Sequence, residues 1–182
     1  ANINALELAA DFIHCDLISS FPCINSSSST ALFFDPARRS NGRRIYSVEK
    51  YHPPLSRVNE WLQDFPSIGV KISPGVKLNE ISAYDAEIEF ISLRGELKEA
   101  VLWFGDLKNG KRQASILPGR HIIQNDGNTV LADCQPSQPL GYFYEPDPAV
   151  IRAGMVRKLM FMLKAAQVDP EIAYLTGAKK II

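Results

Sequence analysis

The sequence predicts an α/β fold in which a parallel sheet finishes in antiparallel strands. Three observations predict it. Two short apolar runs, "ALFF" (Ala31 to Phe34) and "IGVKIS" (Ile68 to Ser73), stop at Asp35-Pro36 and Pro74-Gly75 as buried parallel strands do, with a helical pattern between them. Then "DAEIEFISL" (Asp85 to Leu93) alternates Ala86, Ile88 and Phe90 against Asp85, Glu87 and Glu89. Finally, Asn109-Gly110 gives the strongest short hairpin signal between "KEAVLWFGDL" (Lys98 to Leu107) and "RQASIL" (Arg112 to Leu117).

In chain order, Ala1 to Ala9 holds good helix formers with apolar positions at Ile3, Leu6 and Leu8. "DFIHCDL" (Asp11 to Leu17) is a short strand ending in an acid, and "CINSSSST" (Cys23 to Thr30) is a solvated loop. Residues 36–52 show no period. After Pro53-Pro54, Leu55, Val58, Trp61 and Leu62 have helical spacing, and proline suits a first turn. "RGE" (Arg94 to Glu96) is placed to turn a hairpin, whose flanking charges Arg94, Glu96, Lys98 and Glu99 suit a salt-bridged edge. Past Pro118-Gly119 the segments are short and turn-rich, with Asp126-Gly127 between them. The spacing then predicts one helix over Glu145 to Ala166, with Asp147 as N-cap, Pro148 at its first position, and Ile151, Met155, Leu159, Met162 and Leu163 on one face. The methionines read as gap-filling core.

Composition narrows the function classes. Hydrophobic residues make up 46% and charged ones 22%, and the formal net charge is zero, so no global field draws nucleic acid or a membrane. Any anion site must be local. Three cysteines, Cys15, Cys23 and Cys134, form no Cys-x-x-Cys pair, and their odd number argues against a disulfide framework, so a reducing cytoplasm is the expected compartment. Apolar stretches such as Ala100 to Phe104 are too short to span a bilayer, and the first residues lack the pattern of a secretory signal.

Two acids stand at the carboxyl ends of consecutive strands, Asp16 and Asp35, where open α/β sheets bind ligands. Each could equally begin a turn. Directly after Asp35-Pro36, Arg38, Arg39, Arg43 and Arg44 surround Gly42, which lets backbone approach a ligand. This loop could hold phosphate or pair with nearby acids. His14, His52 and His121 show no metal-ligand spacing, so no metal is expected. No nucleophile elbow and no phosphate-binding Gly-Lys-Ser/Thr loop occurs.

The strings "FFDPARR", "GRR", "YHPPL", "VKISPGV", "EIEFISLRGELKEAVLWFG", "YEPDPAVIRAG" and "DPEIAYLT" occur in this order. Together they resemble a bacterial family of class I S-adenosylmethionine-dependent methyltransferases with a THUMP-like or ferredoxin-like C-terminal region. The resemblance runs over nearly the whole chain. It implies a partial Rossmann-like methyltransferase sheet with an antiparallel end (residues 1–117), followed by the start of the small α+β C-terminal region (residues 118–182). It also implies S-adenosylmethionine as cofactor in the intact parent, with Asp16 near the adenine. Asp35 and Pro36 would then face the methyl group and acceptor, and Arg38, Arg39, Arg43 and Arg44 would bind substrate phosphates, RNA being the expected substrate.

Two departures qualify this. Amino-methylating relatives follow Asp/Asn-Pro with proline and an aromatic ring, whereas Ala37 and Arg38 stand here, so a stacked-base pocket of that design is in doubt. The family's glycine-rich cofactor loop and its ribose-binding acid do not occur. The chain therefore reads as an internal fragment, inactive alone, whose unpaired strand edges favour self-association. The alternatives are a non-catalytic RNA-binding module using the arginine loop, and a cofactor-binding protein with a small-molecule acceptor.

Overall fold

The computed structural model describes residues 10, 13–16, 18–19, 30–40, 42–125 and 136–180. Its centre is a six-stranded sheet in the order β1-β4-β6-β5-β7-β8. Here β1 is Ala31–Phe34, β4 Ser67–Ile72, β5 Glu87–Leu93, β6 Glu96–Gly105, β7 Arg112–Leu117 and β8 His121–Asn125, while β2 (Arg39–Ser40) and β3 (Arg43–Arg44) form a separate small hairpin. β1 and β4 pair parallel, with Phe34 opposite Val70. β6 runs antiparallel to both of its neighbours, β4 and β5. The expected parallel sheet with a reversed strand is thus present. "RGE" does turn the β5–β6 hairpin: Arg94 and Gly95 both take positive φ, 55° and 77°, the geometry of a type I′ turn.

Alternation along the strands sends one set of side chains into the core. Ile68, Val70, Ile72, Phe90, Leu102 and Phe104 are all buried on one face. Over β1 and β4 they are covered by the segment that showed no period in sequence. There a 3-10 turn at Val48–Lys50 is followed by a second at Leu55–Arg57, which leads into α1 (Val58–Trp61). Trp61 meets Phe34 edge-on, with ring centroids 5.0 Å apart. A further short helix, α2 (Leu78–Ile81), adds Ile81. Over β5 to β7 the cover is α3 (Pro148–Arg152), which contributes Ala149 and Val150. On the opposite face Gly69 is required by space, since a Cβ there would lie 2.7 Å from both the Phe33 and Trp103 rings.

Three local expectations give way to tertiary structure. Asn109-Gly110 does not close a hairpin, because β7 pairs with β5 in parallel rather than with β6. The connection instead crosses the start of β5, where buried Glu87 holds it. One carboxylate oxygen accepts from the Asn109 and Gly110 backbone N–H groups (2.6 and 3.2 Å), and the other accepts from Gln124 Nε2 (3.2 Å). Placing the apolar strand β5 between two neighbours outweighs a turn preference that is only local. Second, the helix expected over Glu145 to Ala166 is two helices, α3 and α4 (Val156–Leu163), separated at Gly154 with φ 71°. The break resets the helical phase: Ile151 and Met162 are exposed, while Met155 and Met160 are buried. Asp147 does cap α3, accepting from Ala149 N at 2.8 Å.

Third, residues 13–16 of the expected strand Asp11 to Leu17 form no strand. The rest of that strand, the helix over Ala1 to Ala9 and the Asp126-Gly127 turn lie outside the described residues. Among the described residues, β1 is therefore an edge of the sheet. Beyond residue 118 the main sheet continues into β8, which pairs with β7. The small α+β region then contains α3, α4 and a three-stranded antiparallel sheet of β9 (Tyr142–Tyr144), β10 (Ala166–Gln167) and β11 (Leu175–Gly177). Arg152 of α3 ties this region to the loop after β4. Its Nε donates to Pro74 O at 2.8 Å, another guanidinium nitrogen donates to Val76 O, and the group lies 5.1 Å from the Phe90 ring centroid.

Candidate functional site

β1 and β4 end side by side, so Asp35 follows one strand and Ser73 the other at the edge where open α/β sheets present ligand-binding groups. Pro36 is buried, whereas the Asp35 side chain is 51% exposed. Lys71 of β4 donates to Asp35 Oδ2 at 3.1 Å and lies 3.5 Å from Glu99 of β6. The hydrogen bond to Asp35, then the Asp35 and Glu99 charges, raise the Lys71 pKa, with partial burial opposing them. Lys71 is therefore a standing cation, tethered to the Asp35 carboxylate. The Asp35 carboxylate oxygens are placed as hydrogen-bond acceptors.

The chain beyond Pro36 is fixed by backbone. Ala37 and His52 exchange hydrogen bonds of 2.8 and 3.2 Å, and Ile45 N donates to Arg38 O at 2.8 Å. The expected basic loop is thus an ordered hairpin, turned at Gly42 with φ 76°, in which Arg39 faces Arg44 and Ser40 faces Arg43. None of Arg38, Arg39, Arg43 and Arg44 joins any of the five ion pairs among the described residues. Asp35, Pro36, Ala37, Arg38 and Arg39 line one open depression of about 360 Å³. The fold thereby brings the strand-end acid and two of the arginines together.

Asp16 is not part of that group. Its carboxylate accepts from Ile18 N at 2.9 Å and from Ser19 Oγ at 2.5 Å, and the Ser19 bond foremost lowers its pKa. This is the geometry of a local turn. Among the described residues no three His, Cys, Asp or Glu side chains gather as metal ligands. Cys15 is exposed and unbonded, and no helix of the described residues is long and apolar enough to cross a membrane.

Sequence reasoning missed Lys71, Ser73 and Tyr51. A lone lysine inside the apolar run "IGVKIS" was the available signal for the first. Tyr51 is 1% exposed and its hydroxyl makes no hydrogen bond of good geometry. Burial raises its pKa, as burial and a hydrogen bond to Glu49 raise that of Tyr84. Raised acids contribute stability in full below the unfolded-state value, near pH 10, and lose it as pH climbs through the folded values. Tyrosine absorbance followed with circular dichroism across pH 8 to 13 should therefore show phenolate appearing together with unfolding. A Tyr84→Phe variant should change stability less above about pH 10 than the parent does.

No known family model matches the chain. Over 180 residues, 97% of the chain, it is 34% identical to proteins from two Mycobacterium tuberculosis strains, CDC 1551 / Oshkosh and ATCC 25618 / H37Rv. Each of these is described as an uncharacterized S-adenosylmethionine-dependent methyltransferase. The chain spans about half the length of these curated relatives, 48%. The crystal structure of a candidate methyltransferase from Porphyromonas gingivalis W83 superposes on 84% of the chain with a TM-score of 0.68, covering 40% of that chain at 21% identity. At that identity the likeness is one of fold: a Rossmann-like methyltransferase sheet of mixed direction with a smaller α+β C-terminal region. In sequence the chain is thus similar to about half of each of these two proteins.

Proposed function

We propose that this chain supplies the acceptor side of an S-adenosylmethionine-dependent methyltransferase that acts on RNA. The observation that carries the reading is the depression in which Asp35-Pro36 adjoins Arg38 and Arg39 at the carboxyl end of β1. The residues present fit the methyl-receiving side of such a site. They do not fit the whole cofactor, because the family's glycine-rich loop and ribose-binding acid are not among the 182 residues. In this reading the remaining length of a full relative holds most of the cofactor, Asp16 lies toward its adenine, and the chain alone is inactive.

S-adenosylmethionine, when bound, supplies an electrophilic sulfonium methyl. Asp35, oriented by Lys71, accepts a hydrogen bond from the acceptor group and aims its lone pair. The gain is one of positioning, since a group held in line reacts with a large effective concentration. Buried Pro36 fixes the chain direction after the acid. The four arginines take up backbone phosphates of the RNA, which fixes register without reading sequence. Ala37 offers no ring for a base to stack on, so the acceptor is held from its phosphate side. A THUMP-like role for residues 118–182, a cytoplasmic site of action and pairing of the β1 edge with another chain complete the proposal.

The test is transfer of labelled methyl from S-adenosylmethionine to cellular RNA by a protein of the relatives' full length. Label in RNA that is lost when Arg38 and Arg39 are both changed to Ala supports the reading, and label absent from RNA counts against it. The second reading, a non-catalytic RNA-binding module, is favoured by the absence of ion-pair partners for the four arginines among the described residues. That reading predicts steeply salt-dependent RNA binding with no methyl transfer at any length.

A further inference from the structure

Behind the arginine hairpin lies a second, smaller cavity of about 80 Å³, lined by Arg38, Arg39, Arg44, Ile45 and Ser73. It shares Arg38 and Arg39 with the Asp35 depression, so the two are adjoining compartments of one surface. Three features of it are costly in a chain with nothing bound. Arg39 and Arg44 are direct cross-strand neighbours, and like charges so placed repel. No acid of the described residues pairs with either of them. Beside the cavity, the Tyr51 hydroxyl is buried with no hydrogen bond of good geometry, a cost that native structures rarely carry without a reason.

These features share one neighbourhood. The Arg38 and Arg44 charges both act on the Tyr51 hydroxyl, and the backbone N–H of Ser73, which lines the cavity, leans on its oxygen as a weak donor, leaving the phenol hydrogen without an acceptor. The one acid that acts on it, Glu80, is engaged elsewhere, accepting from the Val48 backbone N–H at 3.2 Å. The Ser73 hydroxyl accepts from Gly75 N at 3.3 Å and keeps its own hydrogen to donate. Guanidinium forks, a phenol and a serine hydroxyl form a donor-rich set, the complement of a tetrahedral oxyanion.

We propose that this cavity binds a single phosphate monoester group, held by Arg38, Arg39 and Arg44 with the Tyr51 and Ser73 hydroxyls as donors. A dianionic terminal phosphate offsets the Arg39–Arg44 repulsion and gives the Tyr51 hydroxyl its missing partner. The cavity is too small to take a nucleobase beside the phosphate, so the rest of the ligand extends along Arg38 and Arg39 toward Asp35. The proposal rests on the arginine part of the reading above and is independent of methyl transfer. The monoester has two possible sources, a free phosphorylated small molecule and the phosphorylated 5′ end of an RNA.

The test is calorimetric titration of the 182-residue chain, at fixed ionic strength, with inorganic phosphate, a nucleoside 5′-monophosphate, and one short RNA carrying either a 5′-phosphate or a 5′-hydroxyl. Phosphate is expected to bind one-to-one, and Arg44→Gln to weaken it by about tenfold. Tyr51→Phe should weaken it by roughly fivefold, while the melting temperature without phosphate stays unchanged or rises because a buried unpaired hydroxyl is gone. A clear preference for the 5′-phosphorylated RNA over its 5′-hydroxyl form, beyond that for the mononucleotide, identifies an RNA end as the source. Equal binding of phosphate and mononucleotide without that preference identifies a small molecule. No phosphate binding, or binding that neither Tyr51→Phe nor Arg44→Gln weakens, overturns the proposal. Methyl transfer to RNA could persist in either case, so failure here is distinct from failure of the methyltransferase reading.

Discussion

Gly105→Ala is expected to destabilise the chain by about 3 kcal/mol, measured by urea unfolding. Gly105 ends β6 with φ 61°, and a Cβ there would lie 1.7 Å from Pro66 O and 2.9 Å from Pro66 C. These are backbone atoms, so no side-chain rotation relieves the clash. The end of β6 must move away from β4, where Gly105 pairs with Ser67, and the Asp106 N–H to Pro66 O bond of 3.1 Å is lost with it. Gly42→Ala is the control. Its φ is also positive, 76°, but nothing lies within 4 Å of the added carbon, so only the conformational cost of about 1 kcal/mol is expected. Equal losses at the two positions would show that backbone conformation alone, and not strand contact, governs Gly105.

Asp35→Asn in a protein of the relatives' full length should lower methyl transfer by about 100-fold while leaving S-adenosylhomocysteine affinity unchanged. The amide keeps the size of the side chain and loses the charge that Lys71 holds in place. Lys71→Met should act in the same direction by releasing Asp35 from its 3.1 Å tether, and the double variant should be little worse than either single one, since both remove the same interaction. Additive losses would assign the two residues separate roles. Turnover unaffected by Asp35→Asn would remove the acid from the chemistry.

Much of the sheet was legible because "ALFF" and "IGVKIS" carry their own stop signals, and Asp35 could be placed by the end of its strand. The hairpin at Arg94-Gly95 was equally local. What was not legible depended on partners distant in sequence. Nothing near Asn109-Gly110 reveals that β5 will lie between β6 and β7 or that Glu87 will anchor the crossing. The continuous helical pattern over Glu145 to Ala166 concealed the break at Gly154, because a glycine costs a helix only about 1 kcal/mol and does not announce a change of phase. The arginines were visible as a charge cluster. Their lack of acidic partners among the described residues and the buried Tyr51 hydroxyl beside them appear only once the hairpin, Tyr51 and Ser73 are folded together.

The most direct measurement is a calorimetric titration of the 182-residue chain with S-adenosylhomocysteine. Under the proposed function these residues carry the acceptor side and lack the loop and acid that grip the cofactor's methionine and ribose. It predicts no saturable one-to-one binding up to about 1 mM ligand. Tight one-to-one binding would contradict it, because the cofactor site would then be complete within this chain and built from residues other than those the family uses.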